Sequence, residues 1–398
     1  MKKIKTFRFA LRPTNNQENL FKQFAGACRF VYNRALDIEI SRHAAGEKHL
    51  GFVGTANLLP VWKKDQDTGW LSKIPSQTLQ QSLKDLDRAY RNFFEKRSSF
   101  PVFHKRGKND SFRFPQGVQL DEANSRIRFP KVGWVRYRNS RNVLGTIKNV
   151  TVRRSGEKWF VSIQTQMLAE TPTHPSPSIV GVDLGVARFA TLSSGIVFKA
   201  LDFHKEEAKL KRLQRALARK KKGSKNRAKA RKRLSAVHRK ITDTRNDILH
   251  KVSTTICKNH AVVVIEDLNI SGMSASASGT VEAPGRNVRQ KAGLNRSILR
   301  QGWGRFRTLL EYKTRWYGGM LVVVPPGYTS QRCSGCGHTD PKNRRSQSVF
   351  HCVACGLRMH ADLNAAINIE RAGRAQLACG MNTWPEVGAS AQEPTEAA

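Results

Sequence analysis

The sequence predicts a multidomain α/β protein. Two apolar runs of the kind that fill a parallel sheet, SIVGVDLG at 178–185 and AVVVIEDLN at 261–269, carry carboxylates at their ends, Asp183 and Glu266. Leucines and isoleucines at helical spacing lie between them, and two Cys-x-x-Cys pairs, Cys333/Cys336 and Cys352/Cys355, precede a helix-forming run that holds Asp362. Sheet and helix signals in alternation belong to layered α/β units, and the cysteine-rich insert reads as a separate ribbon. A length of 398 residues suits two or three domains, and 39% hydrophobic residues suffice for their cores.

Residues 1–12 alternate Phe7, Phe9 and Leu11 with polar and basic residues, which predicts one strand. From 13 to 98 the chain reads as helices. Thr14 and Gln17 make a capping box ahead of Leu20, Phe24, Cys28, Val31 and Ala35, and Pro75 opens a second helix with Leu79, Leu83, Leu86, Tyr90 and Phe93 on one face. The other side of that helix presents Ser76, Gln77, Gln80 and Gln81. These are candidate base readers, because Gln pairs bidentately with adenine, although a solvated helix face has the same composition. Residues 99–170 turn to short strands, with a hairpin turn at SGEK, 155–158. Their interleaved basic and aromatic residues fit a base-stacking surface or the alternating wall of a β-barrel. The Pro-rich stretch 171–178 predicts a linker.

Residues 179–330 open with three strand patterns and continue into the most basic part of the chain. Lys211 to Lys240 hold fifteen Lys and Arg and no acid. Leu210, Leu213 and Leu217 before a GSKN turn, then Leu234, Val237, Ile241, Ile248, Val252 and Ile256 after it, predict two helices rather than a disordered tail. Lys220, Lys221, Lys222, Lys225, Arg227, Arg231, Lys232 and Arg233 would offer them charge toward phosphates without sequence readout. The segment SGMSASASGTVEAPGRN, 271–287, reads as a lid or as a passive loop. A further helix places Leu299, Trp303, Phe306, Leu310 and Tyr317 on one face, and GMLVVV supplies another buried strand. The ribbon spans 331–358, a last helical part 359–378, and an aperiodic tail predicted to be disordered 379–398.

Four thiolates in two tight knuckles suit one tetrahedral zinc, with a redox dithiol or disulfides as the alternative. His338 and His351 flank the cysteines, but four sulfurs already complete the site. A zinc with no open position is structural. Asp183 and Glu266 would converge at the carboxyl edge of one sheet if their strands are neighbours, and Asp362 would join them from a helix N-terminus, where a carboxylate is favoured. Asp267 is adjacent to Glu266 and points to the opposite face of a strand. Three carboxylates would hold two Mg²⁺ about 3.5–4 Å apart, with Mn²⁺ as a substitute, which implies phosphodiester hydrolysis. A balance of 70 Lys and Arg against 30 Asp and Glu agrees with a polyphosphate partner.

The trio GVDLG, IEDLN and ADLNAAINI, with a four-cysteine ribbon before the third, resembles the TnpB family of insertion-sequence proteins, relatives of compact type V CRISPR effectors. The resemblance extends over nearly the whole chain. It implies an RNase H-like (RuvC) nuclease with an inserted zinc ribbon, and an N-terminal wedge-like β-barrel carrying a helical recognition insertion. It also implies catalytic Asp183, Glu266 and Asp362, a guide RNA transcribed from the transposon end, and double-stranded target DNA bearing a short neighbouring motif.

Two other classes stay open on the sequence. A DNA transposase could also use three acids, although no His-x-His pair accompanies a tyrosine mechanism; a non-catalytic nucleic-acid binder follows if the acids fail to converge. No apolar run of about eighteen residues exists to span a membrane. The expectation is a cytoplasmic, nucleic-acid-associated protein of a prokaryote.

Overall fold

The structure, a computed structural model, describes residues 2–168 and 172–380. The predicted tail therefore falls outside the described residues except for Cys379 and Gly380. The described residues form two compact units, 2–168 and 172–380.

The first unit begins with β1 (Lys2–Arg12), whose Phe7, Phe9 and Leu11 are buried. Three helices follow: α1 (Asn15–Ala44), α2 (Gly51–Lys64) and α3 (Ser76–Phe94). Six strands complete the unit: β2 (Ser111–Phe114), β3 (Gln119–Asp121), β4 (Arg126–Phe129), β5 (Gly133–Tyr137), β6 (Thr146–Ser155) and β7 (Lys158–Leu168). They make one antiparallel sheet in the order β2-β6-β7-β1-β5-β4-β3. The Thr14–Gln17 capping box starts α1, and the Gln17 side chain also donates to the Trp134 carbonyl at 2.9 Å, anchoring the helix to β5. Phe21 and Phe24 of α1 make ring contacts with Phe112, Phe114, Phe129 and Trp159 of the sheet. The helical segment 13–98 and the described strands of 99–168 therefore share one aromatic core. Helix α2 was not foreseen: Pro60 lies inside it and Gly51 at its start is left-handed, both signals that read as breaks, yet Leu59 and Trp62 bury against the core.

The second unit is built on strands β8 (Ile179–Leu184), β9 (Arg188–Leu192) and β10 (Val197–Lys199), then α4 (His204–Ala218), α5 (Lys225–Asn259), β11 (Val262–Glu266), α6 (Ile270–Met273), α7 (Val288–Gln301), α8 (Trp303–Trp316) and β12 (Met320–Val324). A short hairpin, β13 (Val349–His351) and β14 (Arg358–His360), leads into α9 (Ala361–Ala378). The sheet order is β10-β9-β8-β11-β12, with β8, β11 and β12 parallel and β9 antiparallel. Alternation divides the strands between two faces. Val180, Val182, Val263 and Ile265 pack with Leu249, Val252 and Ile256 of α5 and Phe306, Leu309 and Leu310 of α8. Val264, Val322 and Val324 pack on the other face with Ile369 of α9. Gly181 lets α9 reach the backbone of β8: a Cβ there would lie 2.1 Å from the Ala366 carbonyl oxygen and 2.5 Å from the Glu370 nitrogen.

One expectation needs correction here. The helix expected through Leu299 and Tyr317 is two helices, because Gly302 (φ +72°) takes the left-handed conformation that ends α7, and Leu299 is left 53% exposed. Within the stretch predicted as a linker, residues 172–178 are hydrogen-bonded to the end of α5. His174 bonds to the carbonyl of Cys257 at 3.1 Å, and Ser178 meets His260 Nδ1 at 2.9 Å and donates to the Asn259 carbonyl at 3.1 Å.

Candidate functional site

Asp183 and Glu266 stand at the carboxyl ends of two neighbouring parallel strands, and both share the face that α9 covers, two residues on from Gly181 and Val264. Asp362 sits in the first turn of α9, where His360 caps the helix by accepting the Asp362 N–H at 3.2 Å. Asp183 feels the other two acids. Burial, then the charge of Glu266 and that of Asp362, push Asp183 up to about 7, opposed by the Arg344 guanidinium. Burial also raises Glu266, against a hydrogen bond from Thr329 and the charge of Arg344. Asp267 turns elsewhere: its carboxylate pairs with Arg307 of α8 at 2.5 Å.

Arg344 and Thr329 are the two side chains beside the acids that pattern reading passed over. Arg344 belongs to the ribbon, between its cysteine pairs, where no periodicity marks it. Thr329 follows β12 in an exposed turn, and its hydroxyl donates to Glu266 Oε1 at 2.5 Å.

The four cysteines gather as their spacing suggested, all four sulfurs within 4.8 Å of one another. Cys333 and Cys355 sulfurs are 3.7 Å apart, Cys336 and Cys352 3.6 Å. A disulfide would need about 2.05 Å. Tetrahedral ligands at about 2.3 Å from a zinc stand about 3.8 Å apart, so the quartet fits that ion. Backbone N–H groups of Gly335 and Cys355 point at the Cys333 and Cys352 sulfurs, as in a metal knuckle, and the latter contact helps hold the Cys352 thiol below its ordinary pKa. Among the described residues this quartet is the one group of three or more His, Cys, Asp or Glu ligand atoms so tightly gathered. Cys28 and Cys257, read as small core residues, are buried with thiols pushed up to about 12 by desolvation.

The basic stretch forms the hairpin of α4 and α5, tied by Lys240 to Glu206 at 2.8 Å. Lys220, Lys221, Lys222, Lys225, Arg231, Lys232 and Arg233 are exposed on its tip and flank. Arg227 is not available in the same way, since it donates to the Leu217 and Lys220 carbonyls at 2.9 Å and closes the end of α4. Of the candidate base readers, Ser76 and Gln77 are exposed, Gln80 and Gln81 half-buried, and Ser76 accepts a hydrogen bond from Lys63.

Fold and site together define a basic α/β protein with an acid cluster at a sheet edge and a four-cysteine ribbon docked beside it. Family models match three stretches: 160–277 the model described as "Probable transposase" of the OrfB, IS605 type, 303–369 a "Cas12f1-like, TNB domain", and 1–48 a "Helix-turn-helix domain" of the same OrfB family. In this structure residues 2–44 are one strand and one long helix rather than a helix-turn-helix. The chain is 56% identical over 96% of its length, and 95% of the relative's, to the Escherichia coli (strain K12) protein named "Putative RNA-guided DNA endonuclease InsQ". A Streptomyces pristinaespiralis protein named "Putative RNA-guided DNA endonuclease" is 32% identical over 97% of this chain and 94% of its own. A cryo-EM structure of a Cas12f1-sgRNA-target DNA complex shares the fold, with a TM-score of 0.54 at 15% identity over 90% of this chain and 83% of that one. The chain belongs to the TnpB family, the OrfB proteins of IS605-type insertion sequences. No helix among the described residues is long and apolar enough to cross a membrane.

Proposed function

We propose that this protein is an RNA-guided DNA endonuclease of a mobile element, acting in the prokaryotic cytoplasm on DNA that matches its guide and carries a short adjacent motif. The observation that carries the chemistry is the meeting of three acids from distant parts of the chain at one sheet edge, where Asp183 is raised to about 7 by burial and by the charges of Glu266 and Asp362. Such a cluster is unfavourable alone and fits hard divalent cations with oxygen ligands. Asp183, Glu266 and Asp362 would hold two Mg²⁺, or Mn²⁺ in their place. Bound there, the ions would supply an activated water and charge stabilisation at the leaving oxygen.

The chain's own residues prepare that reaction. Val182 and Ile265 keep the strands beneath the acids dry, and α9 holds Asp362 over them. Arg344 contributes a positive charge on the same side, suited to a phosphodiester drawn toward the acids. We read the five-stranded sheet as an RNase H-like (RuvC) unit, the first unit as the wedge-like barrel with its helical recognition part, and the ribbon as a structural zinc site. The hairpin of α4 and α5 would grip the phosphates of a guide transcribed from the transposon end, leaving base pairing to select double-stranded DNA. Names of the relatives support that partner pair.

The test is to sequence the RNA that copurifies with the protein, rebuild it with a new guide segment, and assay Mg²⁺-dependent cutting of matched DNA. Cleavage should move with the guide. Asp183→Ala, Glu266→Ala and Asp362→Ala should each lower cutting by about 1,000-fold or more with RNA binding retained, since residues of one site act as a unit. RNA-free protein that cut one defined sequence would replace the reading with direct protein recognition. Joining of DNA ends would favour the transposase that the family model's description suggests.

A further inference from the structure

The motif ADLNAAINI contains, besides Asp362, two asparagines one turn apart that no metal chemistry requires, Asn364 and Asn368. Both are buried, at 0% and 6% exposure. Their side chains clamp the loop between β12 and the ribbon. Asn368 Nδ2 donates to the carbonyls of Thr329 at 2.9 Å and Arg332 at 2.7 Å; Asn364 Nδ2 donates to the Arg332 carbonyl at 2.8 Å, and its Oδ1 accepts the Ser334 N–H at 2.9 Å. Tyr328 precedes Thr329 in the left-handed region (φ +61°), a conformation unfavourable to a non-glycine residue that persists where surrounding bonds over-determine it. The N–H groups of Gln331 and Arg332 both return to the Tyr328 carbonyl, at 3.0 and 2.9 Å, so the turn is fixed at each end.

We propose that Thr329 is a positioning residue for the Glu266 carboxylate, aimed by the asparagine clamp of α9 so that the helix carrying Asp362 also orients Glu266. The Thr329 hydroxyl donates to Glu266 Oε1 and fixes the carboxyl rotation, leaving Oε2 for a cation. Glu266 lies at the end of β11, where the sheet fixes its backbone but not its outer torsions, and the hydroxyl supplies that missing constraint. The same loop enters the ribbon at Cys333, whose neighbour Ser334 hangs from Asn364, so the aim of Glu266 and the seating of the ribbon share one anchor.

This proposal rests on reading the three acids as cation ligands, and its test separates the two. Thr329→Val removes the hydroxyl with little change of shape, while Thr329→Ser keeps it. In the full-length, RNA-loaded protein, Mn²⁺ binding is followed by electron paramagnetic resonance, and DNA cutting is measured across Mg²⁺ concentrations. Thr329→Val should raise the half-saturating Mn²⁺ concentration about 10- to 100-fold and slow cutting at low Mg²⁺ by a similar factor, with recovery as Mg²⁺ rises. Thr329→Ser should restore both, and RNA loading and melting temperature should stay as in the parent. Unchanged Mn²⁺ binding in Thr329→Val, or a Thr329→Ser as impaired as the valine variant, would overturn the proposal. A parent that binds Mn²⁺ through Glu266 but cuts no DNA would remove the endonuclease reading and leave the Thr329 comparison intact. A parent that binds no Mn²⁺ would remove both.

Discussion

At the scale of single residues the site is governed by one carboxyl group held far from its ordinary pKa. Asp183 stands at about 7 in the folded chain against 3.8 ordinarily. The raised value means that the fold favours the neutral acid. Metal-free protein therefore loses stability as pH climbs from about 4 to about 7, and the loss is complete above that. A divalent cation favours the ionised form and reverses the sign, so the rise in melting temperature on adding Mg²⁺ should be larger at pH 8 than at pH 5.5. Equal gains at both values would mean that Asp183 is not among the ligands. Asp267→Ala tests the neighbour: it loses an exposed pair with Arg307, a contact of at most ~1 kcal/mol, and should cut DNA nearly as the parent does. Loss of cutting on the scale of Glu266→Ala would transfer the role to Asp267. The sequence made these two acids distinguishable because strand alternation is strict. It could not expose Arg344 or Thr329, whose loops have no period and whose meeting with the acids is purely tertiary.

Among elements, α9 does most to assemble the site. Its backbone touches β8 at Gly181, its Gly373 leaves room for the Val264 side chain, and its first turn holds Asp362. Gly181→Ala would place a methyl 2.1 Å from the Ala366 carbonyl oxygen. The helix must then move, at a cost of about 1–3 kcal/mol. We expect a lower melting temperature and a loss of cutting with RNA binding retained. A variant as active as the parent would show that α9 can shift without displacing Asp362. The ribbon makes a separate prediction. Metal analysis should find about one zinc per chain, and Cys333→Ser with Cys336→Ser should abolish it and raise hydrogen exchange across 331–360. Full activity in zinc-free protein would reopen the dithiol reading.

Elements were legible where local pattern and burial agree. The buried strands β8, β11 and β12, the capped α1 and the cysteine knuckles each carry their signal within a few residues. The break at Gly302 was hidden because the spacing of Leu299, Trp303, Phe306 and Leu310 runs through it at a helical period, although Ile298 rather than Leu299 is buried, and α2 was hidden behind Pro60, whose cost is offset by the burial of Leu59 and Trp62.

For the whole molecule the governing quantity is a net charge of +40. A charge so large needs a polyanion of matching extent, and a structured RNA offers one. Lys220→Gln, Lys221→Gln and Lys222→Gln together should weaken RNA binding and flatten the slope of log affinity against log salt by about 2–3 units, as each lost phosphate contact removes up to about 0.9. The position of the cut should not move if these exposed residues grip phosphates alone. A shifted cut site would give the hairpin a role in aligning DNA.

The contact of α9 with β8 also orders events in time. Asp183 and Glu266 emerge from the ribosome long before Asp362, and the strands that bear them can pair as soon as β11 is made. The third acid arrives only after the ribbon, on a helix that must seat its backbone against Gly181. A nascent chain halted between α5 and α9 already carries the basic hairpin yet lacks Asp362. On the proposed reading of the three acids, such a chain would be unable to cut DNA, and cleavage would wait for α9 to seat.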